Sequence, residues 1–133
     1  MKQAKWVLAV VAVLALAAVA QKPSDVYRGL SYDKNTEVKL NGEIVELQDF
    51  DCPVSKAMGN HAIVKTSDGN LVVHTAPVKF MKEYGLELQT GMKVQVVGSK
   101  VKDSTGRDTI LAREVVADNV TYRFRDANGK PIW

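Results

Sequence analysis

Cysteine occurs once in this chain, at Cys52, and histidine twice, at His61 and His74. A single cysteine excludes an intrachain disulfide and a CxxC redox motif. In an exported chain it leaves three uses for the thiol: burial, pairing with another molecule, or ligation of a metal. The chain also lacks GxSxG, HExxH and any glycine loop able to cradle a phosphate. The nearest thing to a carboxylate pair, Asp49 and Asp51, falls in a polar stretch where solvated turn residues are the simpler reading. These absences argue against catalysis.

Long apolar runs are also absent, with one exception. Lys2 and Lys5 precede an unbroken apolar segment from Trp6 to Ala20 that ends in Ala18-Val19-Ala20. A basic start, a short apolar stretch and small residues at its end are the marks of a secretory signal. Its 15 apolar residues fall short of the roughly 20 a spanning helix needs. Residue 21 is Gln, which argues against a lipid anchor at that point. Cleavage after Ala20 gives an exported protein, periplasmic or secreted, with no membrane span. Removing Lys2 and Lys5 lowers Lys+Arg from 18 to 16 against 15 Asp+Glu, so the formal charge falls from +3 to +1. The basic isoelectric point therefore says little about a nucleic-acid or acidic-lipid partner.

The 113 residues after this segment suffice for one domain and are too few for two. Residues 21–36 are polar and unpatterned and read as an arm that Tyr27, Leu30 and Tyr32 could pin to the body. Residues 37–133 alternate. Val38 and Leu40 begin a strand whose phase slips after Gly42, as glycine permits at a bulge or bend. Gln48 to Asn60 has neither strand nor helix period, breaks at Pro53 and reads as a loop. His61 to Thr75 is the strongest signal, two alternating runs meeting at Asp68-Gly69, which predicts a type I′ hairpin. That turn pairs Thr66 with Leu71, Val64 with Val73 and Ile63 with His74. Ala62, Val64, Leu71, Val73 and Thr75 then form the core face, and His61 and His74 become diagonal neighbours on the other.

Pro77 and Gly85 bracket one short helix with Val78, Met81 and Tyr84 on a side. Thr90-Gly91 turns into a strand from Lys93 to Val101. Asp103 to Arg107 is a polar turn, Thr109 to Val116 a strand, and Val120 to Arg125 a last strand after Asp118-Asn119. Three strands, a helix, two strands and an added terminal one are the order of an all-β, OB-fold-like Greek-key barrel with its helix between strands 3 and 4. The terminal Pro131-Ile132-Trp133 reads as a plug for the barrel's open end.

Several stretches have a familiar wording: Asn41-Gly42-Glu43-Ile44-Val45, Val73-His74-Thr75-Ala76-Pro77, Leu111-Ala112-Arg113-Glu114-Val115 and Arg125 to Trp133. Together they resemble exported bacterial OB-fold domains of the magnetosome MamS/MamX type and, more distantly, the periplasmic BOF stress-tolerance family. The resemblance covers nearly all of the chain after residue 20 and rests on structural motifs. It implies the barrel fold and export. It does not imply haem, since the CxxCH motif carried by some magnetosome proteins of this group is missing.

Two constellations remain as candidate sites. Arg113, Arg123 and Arg125 lie on strands expected to be neighbours and could form a basic binding patch. The simpler reading is a solvated face with salt bridges to Glu114 and Asp126. Tyr122 and Phe124 fall on the opposite face from Arg123 and Arg125, which argues against an oligonucleotide partner. Cys52, Met58, His61 and His74 gather the chain's soft and imidazole donors around one hairpin. All four suit copper, and without Met58 the set suits zinc. The sequence thus points to a non-catalytic exported binding or interaction module for an unnamed protein or small ligand. A copper- or zinc-binding or trafficking protein is the principal alternative, and an oligonucleotide or oligosaccharide binder is suggested by fold analogy alone.

Overall fold

The computed structural model describes residues 21–133, so the signal reading of residues 1–20 lies outside the described residues. Strand β1 (Glu37–Cys52) is followed by β2 (Ala57–Thr66) and β3 (Gly69–Pro77), then by a helix (Val78–Glu83), β4 (Lys93–Lys102), β5 (Asp108–Ala117) and β6 (Val120–Arg123). The strands pair in the order β3-β2-β1-β4-β5-β6, and a parallel contact between β3 and β5 closes the sheet into a barrel. This is the expected all-β, OB-like architecture, with the helix between the third and fourth strands.

Closure depends on β1 serving both halves. Glu37 to Glu43 pairs with β4, and Glu43 to Cys52 pairs with β2. Gly42 stands where β1 passes from one partner to the other. A Cβ there would lie 2.5 Å from both the Lys65 carbonyl oxygen and Val64 Cγ1, so only glycine fits without displacing the neighbouring strand. The register slips between Ile44 and Glu46, slightly later than the phase change in the sequence suggests. Inward-facing Ile44, Val64, Val73, Val96, Ile110 and Phe124 are essentially inaccessible and fill the barrel. Met81 of the helix and the half-buried Trp133 pack against this cluster. Trp133 thus contributes to the end of the barrel, while Ile132 is exposed.

Two sequence expectations are corrected. First, Gln48 to Asn60 is not a loop: β1 runs on to Cys52 and β2 starts at Ala57, leaving a turn of Pro53 to Lys56. Backbone ladder pairing extends both strands through residues whose side chains show no period, and Lys56 turns the chain with φ 59°. Second, the hairpin is not centred on Asp68-Gly69. Thr66 pairs with Gly69, Val64 with Leu71, Ala62 with Val73 and His61 with His74. The Thr66 hydroxyl accepts from the Asp68 N–H (3.2 Å) and donates to the Gly69 carbonyl (2.8 Å), drawing the turn back onto Ser67 and Asp68. The register moves by two, so the faces are unchanged, and the two histidines become directly opposed.

The arm is ordered by hydrogen bonds to the barrel. It contains one short helical turn (Pro23–Val26) and a 3₁₀ turn (Lys34–Thr36). Fully buried Ser99 of β4 accepts from the Asp33 N–H at 3.0 Å and bonds the Thr36 hydroxyl at 2.8 Å. Ser104 donates its N–H to Val26 and its hydroxyl to Asp25 carbonyls. This docking brings Tyr27 over the face of β2 and β3 that carries the histidines.

Candidate metal centre

His61 and His74 sit on the side of the hairpin away from the barrel core. The face is not solvated: His61 is 1% exposed and His74 4%. Phe50 of β1 stacks on His61 with ring centroids 3.6 Å apart, and Tyr27 of the arm meets His74 edge-on at 4.5 Å. Cys52, two residues beyond Phe50 on β1, is 3% exposed. The donor atoms of Cys52, His61 and His74 all lie within 4.8 Å of one another.

The tautomer of His74 follows from its neighbours. Thr109 of β5 gives its hydroxyl proton to the Val72 carbonyl at 2.8 Å, and its oxygen lies 3.0 Å from His74 Nε2. That oxygen therefore accepts from an Nε2–H, which leaves Nδ1 with a lone pair. Nδ1 faces Cys52 Sγ at 3.6 Å. A metal–sulfur bond of about 2.3 Å and a metal–nitrogen bond of about 2.0 Å, opened between the tetrahedral and trigonal angles, separate the two donors by about 3.5–3.8 Å. The observed spacing falls in that range. A metal-bound histidine almost always donates its far N–H to an outer acceptor, which is the part the Thr109 oxygen could play here.

His61 Nδ1 is buried and has no hydrogen-bond partner, a costly state for an imidazole nitrogen. Burial holds the His61 pKa down to about 4. Burial, followed by the neighbouring His61 and Arg125, holds His74 well below the usual range. Both rings are therefore neutral at pH 7, the form that ligates. Burial pushes the Cys52 thiol up, and the backbone of Val54 and Ser55 acts in the opposite direction. The turn after Cys52 is closed by the Lys56 N–H on the Cys52 carbonyl at 2.8 Å. Gly59 leaves room for the Ser55 side chain and the His61 ring: a Cβ there would lie 2.6 Å from Ser55 Oγ and 3.2 Å from His61 Cε1. Cys52 also lines a surface cleft of about 220 Å³ with Ser24, Asp51, Pro53, Lys56 and Ala57.

Three of the four donors singled out in the sequence thus come together, and Met58 does not join them. It is 47% exposed and pairs with Asp51 one position away from Cys52, on the alternate side of the ladder. Phe50 and Thr109 are not singled out by the sequence, and Tyr27 is expected there only as a pin for the arm, not as a wall of this site. Phe50 was open to discovery, since it shares a strand face with Cys52. Thr109 was not, because the parallel contact of β3 with β5 leaves no local pattern.

The arginines do not form a patch. Arg113 lies 2.9 Å from Glu37 and 3.8 Å from Glu114, and Arg123 lies 3.7 Å from Glu114. Arg125 is buried, with its guanidinium 5.4 Å from the Tyr32 ring centroid and 5.2 Å from that of Trp133, and it donates to the Gly129 carbonyl. The expected bridge to Asp126 is replaced: that carboxylate accepts the N–H groups of Asn128 and Lys130. Arg125 therefore holds the C-terminal segment, and Arg113 ties β5 to the start of β1.

Among the described residues no helix is long and apolar enough to cross a membrane. No curated protein matches the chain. The family model described as the MamS/MamX magnetosome protein family matches residues 36–122, a span that runs from the first strand to the last and includes Cys52, His61, His74 and Thr109. The chain belongs to the MamS/MamX magnetosome protein family.

Proposed function

We propose that this protein is an exported, non-catalytic OB-fold module that binds one soft transition-metal ion, copper or zinc, through Cys52, His61 and His74. The observation that carries the reading is the convergence of a thiol and two neutral imidazoles, all at most 4% exposed, with their donor atoms within 4.8 Å. Thiolate and imidazole donors select such ions over hard cations. The Thr109 hydroxyl beside His74 Nε2 supplies the kind of outer support such a site requires. Export is supported by the basic and apolar start of the chain.

The test is metal analysis of protein purified without chelators, followed by titration with Cu(I) and Zn(II). Wild type should take up one equivalent of at least one of these ions. Cys52→Ser and His74→Ala should each weaken that binding. Equal binding by wild type and a Cys52→Ser/His74→Ala double variant would remove the site.

A further inference from the structure

The three donors define more than a generic soft-metal site. From their number, charge and surroundings we infer that the ion is monovalent copper, held three-coordinate by Cys52 Sγ, His74 Nδ1 and one nitrogen of His61. The inference rests on the metal-binding reading above and narrows it to one ion and one oxidation state.

The first argument is donor count. Among the described residues the cluster of histidine, cysteine and carboxylate donors contains three members and no acid. Met58 is on the surface. Asp49, the acid that acts on His61, has its carboxylate engaged by the Asn60 side-chain amide at 3.1 Å. Structural zinc is almost always four-coordinate, and catalytic zinc fills its fourth position with water. Here Phe50 and Tyr27 pack against the imidazoles, and the cluster offers no fourth histidine, cysteine or carboxylate donor.

The second argument is charge. A thiolate and two neutral imidazoles carry one negative charge. With Cu(I) the assembly is neutral, and with Zn(II) it keeps one positive charge. Burying an uncompensated charge is strongly unfavourable. No carboxylate in the cluster offsets it. Ligand softness accords with Cu(I) and with zinc alike, so the assignment rests on donor count and charge. Ligation requires the thiol to lose its proton to solvent as the copper–sulfur bond forms, and no electron is transferred.

Competition decides the matter. The full chain is equilibrated anaerobically with Cu(I) against a chromogenic Cu(I) chelator, and separately with Zn(II) against a fluorescent zinc chelator. We expect one equivalent of Cu(I), bound at least about tenfold more tightly than Zn(II), and loss of that equivalent in Cys52→Ala. Cysteine to alanine is a small change inside a covered pocket, and circular dichroism of the metal-free variant checks that the barrel is intact. Tighter binding of Zn(II) than of Cu(I), lost in the same variant, overturns the copper assignment and leaves the metal-binding reading standing. Unchanged Cu(I) affinity in Cys52→Ala overturns the site. Failure of wild type to bind either ion overturns both readings.

Discussion

Thr109 carries much of the proposed site although it supplies no donor to the ion. Its hydroxyl is committed to the Val72 carbonyl on one side and to His74 Nε2–H on the other, and so it determines which nitrogen of His74 faces Cys52. Thr109→Val should lower metal affinity roughly 10- to 100-fold, whereas Thr109→Ser, which keeps the hydroxyl, should retain it. Equal affinities for the two variants in the chelator competition would show that the tautomer is not controlled here. The histidines also make a prediction for metal-free protein. His61 has an ordinary pKa near 6.5 when unfolded and about 4 when folded. Folding therefore favours its neutral form, and the associated stability is complete above pH 6.5 and lost as pH falls toward 4. Between pH 7 and pH 5 the loss is about 2 kcal/mol from His61 alone, with His74 acting in the same direction. Urea unfolding of chelated protein at the two pH values measures it, and equal midpoints would contradict the burial of these rings. At this scale the sequence was legible in its donor types. Their supports were not, because Tyr27 and Thr109 reach the site through contacts 47 and 35 residues away from His74 in the chain.

At the scale of elements, the hairpin faces could be read from the period of two, and the register could not. A single Thr66 hydroxyl moved the turn onto Ser67 and Asp68, and the shift by two left every face unchanged while setting His61 opposite His74. The stretch from Gln48 to Asn60 was misread for a related reason: its strands are held by backbone pairing, which side-chain alternation does not report. Two elements carry testable consequences. Gly98 of β4 lies against β5 so closely that a Cβ would sit 2.4 Å from the Leu111 carbonyl oxygen and 2.9 Å from Ala112 Cα. Both obstacles are backbone, so Gly98→Ala should cost about 3 kcal/mol or more, seen as a lower denaturation midpoint, and an unchanged midpoint would contradict the β4–β5 register. The arm is the second. Tyr27 is 9% exposed and covers His74, so Tyr27→Ala should both destabilise the fold by about 3 kcal/mol and open the histidines to water. Proton exchange at the imidazoles, followed by NMR, should then accelerate. Its failure to do so would mean that the arm is not their cover.

For the whole molecule, the barrel was legible because strand order and helix position are written in periodicity and turn residues along the chain. Its second layer was not. The outward face of β2 and β3 looks like a solvated surface when taken alone, and becomes an interior once the arm docks through Ser99 and Ser104. That layer separates two kinds of burial: a barrel core of apolar side chains, and beside it a small covered chamber whose walls are aromatic and whose contents are a thiol and two imidazoles. The family match spans both. The measurement that tests the central claim most directly is X-ray absorption at the metal edge of the loaded, full-length protein. The account predicts one sulfur scatterer at about 2.3 Å and two imidazole nitrogens at about 2.0 Å. A first shell of oxygen and nitrogen without sulfur would contradict it.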